Sequence, residues 1–407
     1  MSTVDVAGER AGAKYERRKE MILQAAVAVM AQKGVKGMTL AEVAAKLDLV
    51  PTAVSYYFRR KEDLAAACFL RAIDRYQRFI SGAEAAGENP RERVRAFVRL
   101  FFEDLAVRRV GGAEAIVPFS DVRAVGDPAV NAAYVGMFRR LRGAVFPREE
   151  GPALTRVERN ARTHLLFSQM FWAPVWAADY DDADLPRAAA RMADILLDGF
   201  AAPGSALEEP PARVLDEPEA GGVGAFLRAA TRLINEEGYR GASVSKISSR
   251  LNVTKGSFYH HNAAKDDLVA ACFERTLAIM TATQHAAEQA PRGLDRVVAS
   301  VAALVRAEVS GETPLLRTSA LSSAPQTIRP ELIRRFARVA LRFASQLSDG
   351  VADGSARPVD THIAAHMIAG AVNAASELRH WATEADADAA YALYVRPVVL
   401  GLSAPPI

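Results

Sequence analysis

The sequence contains itself twice. From Ala25 to Arg71 the chain runs in parallel, without a gap, with Ala229 to Arg275 at a constant offset of 204 residues. Gly34, Gly37, Leu47, Lys61, Asp63, Leu64 and Cys68 return as Gly238, Gly241, Leu251, Lys265, Asp267, Leu268 and Cys272. The run D-L-A-A-A-C-F at 63–69 comes back as D-L-V-A-A-C-F at 267–273. One offset held over such a length marks a tandem duplication, so any fold proposed for the first half must be buildable again from the second. Trp176 and Trp381 differ by 205, which extends the duplication to whole modules.

Composition bounds the class. A chain of 407 residues has room for about two to four domains. Half its residues are hydrophobic, Ala, Leu, Val and Arg dominate, and β-branched runs are few. This predicts an all-α fold with a large core. No apolar stretch is long enough for a membrane helix, and no apolar signal segment opens the chain, so a cytoplasmic protein with no membrane partner is expected. The two cysteines sit at equivalent repeat positions on alanine-rich helix faces and read as small buried hydrophobes. Net charge is +3 and unevenly spread. Residues 1–80 carry +5, residues 221–280 carry +3, and residues 201–220 carry −4. The basic excess therefore lies in the repeated segments, where phosphate binding would place it.

Within the repeat, Thr39–Lys61 reads T-L-A-E-V-A-A-K-L-D-L-V-P-T-A-V-S-Y-Y-F-R-R-K. Thr39 and Glu42 have the spacing of a capping box that opens a short helix. Val43 and Leu47 form its inner face, and Asp48-Leu49-Val50 makes a turn. Pro51 suits the first position of a second helix, having no N–H to leave unpaired. Two short helices joined by a tight turn are a helix-turn-helix, whose second helix can enter a DNA major groove. Upstream lies an amphipathic helix with Ile22, Ala25, Ala26, Val29 and Met30 at helical spacing. Downstream, Lys61-Glu62-Asp63-Leu64 opens a fourth helix.

A helix, then G-x-x-G-x-T, then the helix-turn-helix, then Y-Y-F-x-x-K-E-D-L, resembles the DNA-binding head of TetR-family transcriptional regulators. Leu49, Tyr56, Phe58, Lys61, Glu62 and Leu64 match the family's usual run, while Pro51, Val54, Ser55 and Tyr57 depart from it. The resemblance implies a double-stranded DNA operator as partner, a helical ligand-binding and dimerisation bundle behind each head, and a small-molecule effector that moves the heads. Carried over by position, it implies DNA contacts from Thr39, Pro51, Thr52, Ala53, Ser55, Tyr56, Tyr57 and Lys61 in the first head. In the second it implies Ser243, Thr254, Lys255, Gly256, Ser257, Tyr259, His260, His261 and Lys265. Hydroxyls and helix N-termini can take phosphates, Lys255 can reach guanine, and the Thr52 methyl can meet a thymine methyl. The bland reading of the tyrosines is packing between head and bundle. Asn262 stands where the first head has Phe58, a lost core aromatic that weakens the expectation of DNA binding by the second head.

The expected organisation is a disordered arm at 1–13, a first head at 14–80 and its bundle at 81–200. A Pro-, Gly- and acid-rich linker follows at 201–222, then a second head at 223–278 and its bundle at 279–403. No phosphate loop, G-x-S-x-G, C-x-x-C or H-E-x-x-H is present, so neither an enzyme nor a cofactor is expected. His362 and His366 are spaced to chelate from one helix face, but pocket or interface histidines are the preferred reading and no metal is assigned. The bundles differ in content, with fifteen aromatics in 75–200 and five in 279–403. An apolar or aromatic effector is therefore placed in the first bundle, walled by Phe97, Phe101, Phe119, Met137, Phe138, His164, Phe167, Phe171 and Trp172. The expected function is a regulator, a repressor released by that effector. The runner-up is that one module, the second, has lost DNA binding and serves dimerisation or protein interaction. The two modules are expected to pair within one chain as a pseudo-dimer, the rival being a homodimer of tandem chains.

Overall fold

The computed structural model describes residues 3–113, 115–148, 153–205, 207–211, 215, 222–241, 244–250, 265–324, 327–382 and 386–405. These form helices and loops without a β-strand; Ala201 and Ala356 make one isolated antiparallel bridge. The first module comprises α1 (Thr3–Gly37), α2 (Leu40–Ala45), α3 (Pro51–Ser55), α4 (Lys61–Ala86), α5 (Pro90–Arg109), α6 (Pro128–Val145), α7 (Arg156–Ala177) and α8 (Leu185–Asp198). The second comprises α9 (Gly222–Gly241), α10 (Val244–Arg250), α11 (Lys265–Ala287), α12 (Gly293–Ser310), α13 (Arg329–Asp353), α14 (Thr361–Ala374) and α15 (Arg396–Leu400). Each has a short 3-10 helix at the same place, Phe119–Val125 and Thr318–Ser323.

The helix starts follow from side chains in the sequence. The Asn89 side chain accepts from the Glu92 N–H ahead of Pro90, and Asp127 accepts from the Ala129 and Val130 N–H groups ahead of Pro128. Thr155 and Glu158 close a capping box on α7, and Asp360 caps α14 through the Ile363 N–H. Thr155 and Asp360 are 205 apart, the spacing of the two tryptophans, so α7 and α14 are counterparts. The buried thiols correspond as well. Cys68 Sγ donates to the Leu23 carbonyl at 3.7 Å and Cys272 Sγ to the Leu227 carbonyl at 3.8 Å, the same contact 204 residues apart.

Two expectations need correction. The helix of α1 begins at Thr3, inside the stretch expected as an arm, where Ala, Glu and Arg are good helix formers. It breaks at Gly34, whose φ of 68° only glycine adopts freely. Pro174 lies inside α7, which runs on to Ala177. α14 is α-helical only to Ala374, and the chain continues as a 3-10 turn, Ala375–His380. The described part of the acidic linker packs rather than floats. Leu215 is buried, Glu209 pairs with Arg306 at 2.6 Å, and the Glu208 carbonyl accepts from Tyr391 Oη at 3.1 Å.

The modules meet along α7, α8 and α14, and α1 also packs against α9. Trp172 lies against Gly370, where a Cβ would come within 2.8 Å of the indole. Gln169 Nε2 donates to the Met367 carbonyl at 2.9 Å, and Asn160 Nδ2 to the Trp381 carbonyl at 2.6 Å. At the ends of the last helices the chains cross at two glycines. Gly199 (φ 62°, ψ −155°) and Gly401 (φ 88°, ψ 162°) lie in a backbone region essentially reserved for glycine. Ala201 N–H donates to the Val399 carbonyl and Ser403 N–H to the Leu197 carbonyl, both at 3.1 Å. These two bonds exchange under a shift of 202 residues, so the crossing has an approximate two-fold axis.

Candidate functional site

In the first head, Thr39 and Glu42 form the capping box that the sequence predicts. Glu42 N–H donates to Thr39 Oγ1 and Thr39 N–H to Glu42 Oε2, each at 3.2 Å. Lys33 pairs with the same carboxylate. The turn to α3 holds Asp48 at φ 54°, a left-handed conformation that Asp tolerates better than most residues. Pro51 then opens α3, and Val54 and Phe58 point into the core. This fixes which residues face out. Pro51 and Thr52 are exposed, Ala53 and Ser55 are half-buried, and Tyr56 is 76% exposed.

The polar groups of this face are partly engaged already. Ser55 Oγ donates to the Pro51 carbonyl at 3.1 Å, which leaves its lone pairs outward. Lys61 Nζ donates to the Lys36 carbonyl at 3.0 Å, so it ties α4 to the last turn of α1. Residues Val35, Lys36, Lys61, Glu62, Ala65, Ala124 and Val125 surround a small depression there. The tyrosines pack neither on the bundle nor alone. Tyr15, on α1, lies 4.8 Å from the Tyr57 ring and 6.3 Å from the Tyr56 ring, and the latter two meet edge-on at 5.2 Å. Sequence reasoning missed Tyr15; the signal was an aromatic inside the basic run K-Y-E-R-R-K.

In the second head, α9, α10 and α11 are described, but Ser243, Thr254, Lys255, Gly256, Ser257, Tyr259, His260 and His261 lie outside the described residues. Lys265 opens α11.

The aromatics of the first bundle form one continuous cluster. Phe167 is 4.6 Å from Phe171 and 5.8 Å from Phe119, and Phe119 is 5.5 Å from Phe171. Phe138 joins through Phe167 at 6.4 Å. Tyr76, absent from the expected wall, sits at the centre, within 6.4 Å of Phe97, Phe101, Phe119, Phe167 and Phe171. Met137 is fully buried beside them. Trp172 is apart, at the contact with Gly370. The second module enters this core: Trp381 stacks on Phe138 at 3.5 Å, and Tyr394 lies 5.8 Å from His164. His164 is buried and its Nδ1 has no hydrogen-bond partner among the described residues. Burial, then the Arg123, His380 and Arg317 charges, pushes its pKa down to about 3, so the ring is neutral. A separate cavity lies between the modules, lined by Leu165, Gln169, Leu196, Met367, Pro397 and Val398 among others.

An all-helical chain whose module begins with a capped helix-turn-helix defines the class, a helix-turn-helix protein with a helical core domain. Residues 22–68 and 226–272 each match the family described as bacterial regulatory proteins, tetR family. The chain therefore carries this family's head segment twice, in tandem. A stretch of 57 residues, 14% of the chain, is 39% identical to the transposon Tn10 TetC protein of Escherichia coli. That stretch is 29% of TetC, so the chain spans under a third of this relative's length. Among solved structures, the TetR family regulator PfmR of Thermus thermophilus aligns over 44% of this chain and 98% of its own, at 20% identity and a TM-score of 0.37. The fatty acid degradation regulator FadR of Bacillus halodurans aligns over 43% and 94%, at 19% identity and a TM-score of 0.33. No helix among the described residues is long and apolar enough to cross a membrane.

Proposed function

We propose that this chain is a sequence-specific DNA-binding transcriptional regulator with both heads on one polypeptide. The carrying observation is the first head, where Pro51, Thr52 and Tyr56 stand exposed on a helix fixed by a capped partner and a buried Val54–Phe58 edge. Thr52 and Tyr56 are the base- and phosphate-facing candidates. Lys61 acts by holding the Lys36 carbonyl and by adding charge at the start of α4. The modules work as an intramolecular pseudo-dimer, a reading supported by the paired bonds around Gly199 and Gly401. Its heads differ, Pro51-Thr52-Ala53 against Lys255-Gly256-Ser257. The operator is then two unlike half-sites about one helical turn apart, without a palindrome. Repression is relieved by a small apolar or aromatic ligand that opens the ring cluster around Tyr76, with His164 turning its free Nδ1 to the ligand's polar end. Footprinting and light scattering test this together. A mass near 43.9 kDa with asymmetric half-sites supports it. Twice that mass with palindromic half-sites replaces it with a homodimer of tandem chains.

A second reading is favoured by one residue. Phe58 is buried in the first head, and Asn262 replaces it in the second. On that reading the second head serves pairing alone, and a footprint covering a single half-site identifies it.

A further inference from the structure

The packing of the modules brings together three groups that neither module carries alone. Asp179 follows the last turn of α7. His362 and His366 stand one turn apart on α14. A potential ligand atom from each lies within 4.8 Å of the other two. Ligand atoms about 2.1 Å from a common ion sit closer to one another than this, so small side-chain rotations close the set. The supporting contacts also come from both sides. Tyr180 Oη, from the first module, is 3.3 Å from His362 Nδ1, a hydrogen bond that orients the ring and leaves Nε2 for another partner. His366 Nδ1 is buried without a hydrogen bond among the described residues, and its ring stacks on Trp176 at 6.4 Å. The two imidazoles meet edge-on, with ring centroids 4.6 Å apart.

We propose that Asp179, His362 and His366 form one divalent transition-metal site that staples the first module to the second. Two imidazoles and a carboxylate suit zinc, cobalt or nickel better than magnesium or calcium, which favour oxygen ligands throughout. Asp179 and His362 are exposed, so the remaining coordination positions are open to water. Among the described residues this is one site. Aligning the helix caps Thr155 and Asp360 places Val157 and Ala161 on α7 where α14 has His362 and His366, and neither can bind a metal. An ion here joins the C-terminal end of α7 to the first turns of α14, and so fixes the crossing of the helices that join the modules.

The site rests on the intramolecular pairing proposed above, so both are read on the same sample. The full chain, stripped with chelator, is titrated with cobalt(II) followed by its visible d–d absorption, and with zinc(II) by calorimetry. One equivalent per chain and a zinc-dependent rise in Tm are expected. His366→Ala should abolish both, Asp179→Asn should weaken binding at least about tenfold, and Tyr180→Phe should weaken it by about tenfold. Asp179 and His362 are surface residues, so circular dichroism of Asp179→Asn and His362→Ala should match the parent. Failure to saturate at one equivalent overturns the site. Unchanged affinity in Asp179→Asn overturns it too, because the histidine pair would then bind from one helix alone. Light scattering reports the pairing independently. A chain of single mass that takes up no metal overturns the site and leaves the pairing standing.

Discussion

The two bundles share a fold and fill it with opposite chemistry. At an offset of 204, Phe97 and Phe101 of α5 become Val301 and Val305 of α12, all buried. Tyr76 becomes Met280 and Phe79 becomes Thr283. At the offset of α7 and α14, Phe171 and Trp172 become Ser376 and Glu377. Phe119 opens its 3-10 helix where Thr318 opens the other. The lost ring volume in the second bundle is occupied by a polar network. Arg317 donates to Glu377 Oε1 at 2.9 Å and to Ser376 Oγ at 3.0 Å, and Thr318 N–H and Oγ1 reach Asn373 Oδ1 at 3.0 and 3.1 Å. Glu308, counterpart of Asp104, is buried and accepts from the Leu315 N–H. Duplication preserved the cap shared by α7 and α14, the thiol contacts and the glycine crossing, features that fix helix placement. Core contents diverged where incoming polar groups bond to one another, as Arg317, Ser376 and Glu377 do.

The largest expected effect compares the heads. Thr52→Ala, Tyr56→Ala and Lys61→Ala together should abolish specific operator binding, at about 1–3 kcal/mol per lost contact. A triple from the second head's own candidates, Thr254→Ala, Tyr259→Ala and Lys265→Ala, should do the same if both heads read DNA. Electrophoretic shifts across a salt series decide. Steep loss of affinity with salt is expected from phosphate contacts. A second triple indistinguishable from the parent leaves the first head as the sole reader.

Next comes the core. Phe101→Ala removes a ring from a dense cluster and should cost about 4 kcal/mol. Val305→Ala, its counterpart, should cost about half as much, since fewer atoms leave. Chemical denaturation measures both. Equal costs would mean that the ring cluster is loosely packed and the contrast between the bundles is compositional only. A smaller effect is expected at the crossing. Gly199→Ala and Gly401→Ala each force a Cβ into glycine-only backbone, against the Val399 carbonyl at 2.1 Å and the Leu197 carbonyl at 2.3 Å. Each should cost about 3 kcal/mol and lower Tm by a similar amount. Unequal losses would show that the approximate two-fold axis is not energetically symmetric.

Much of this was legible in the residues. The offset of 204 gave two modules, and the Thr39–Glu42 spacing and Pro51 gave the first helix-turn-helix with its inner and outer faces. Local signals carry such features because capping and helical periodicity are set within a few residues. What the sequence hid was long-range. Tyr15 beside Tyr57 depends on where α1 lies over α3. Trp381 stacked on Phe138, and Asp179 beside His362, depend on the contact between modules. The histidine pair was visible, but its third partner is about 180 residues away and on the other module. The linker misled because proline and acid outweigh Leu207 and Leu215 in composition, while packing is decided by those two residues and by Arg306, which stands where the first module has Phe102.

The last expected effects come from pH, and they run in opposite directions in the two bundles. Burial pushes the Glu308 carboxyl up to about 7, against the Leu315 N–H and the Arg317 charge, which pull it down. The folded chain therefore holds a proton that the unfolded chain, near 4.5, has already lost. Stability from this group is full below about 4.5 and falls as pH rises through 7, by up to about 3 kcal/mol. His164 works the other way. Its folded value of about 3 lies below the ordinary 6.5, so its contribution is full above 6.5 and is lost as pH falls toward 3. Glu308→Gln should raise Tm at pH 8 and leave it unchanged at pH 4. His164→Gln should flatten the acid limb between pH 6.5 and 4 without altering the slope above 7. Thermal unfolding of the three proteins across this range separates the terms. Should Glu308→Gln lower Tm at pH 8, the carboxylate is needed as a charged partner of Arg317, and the second bundle is held by paired charges where the first is held by rings.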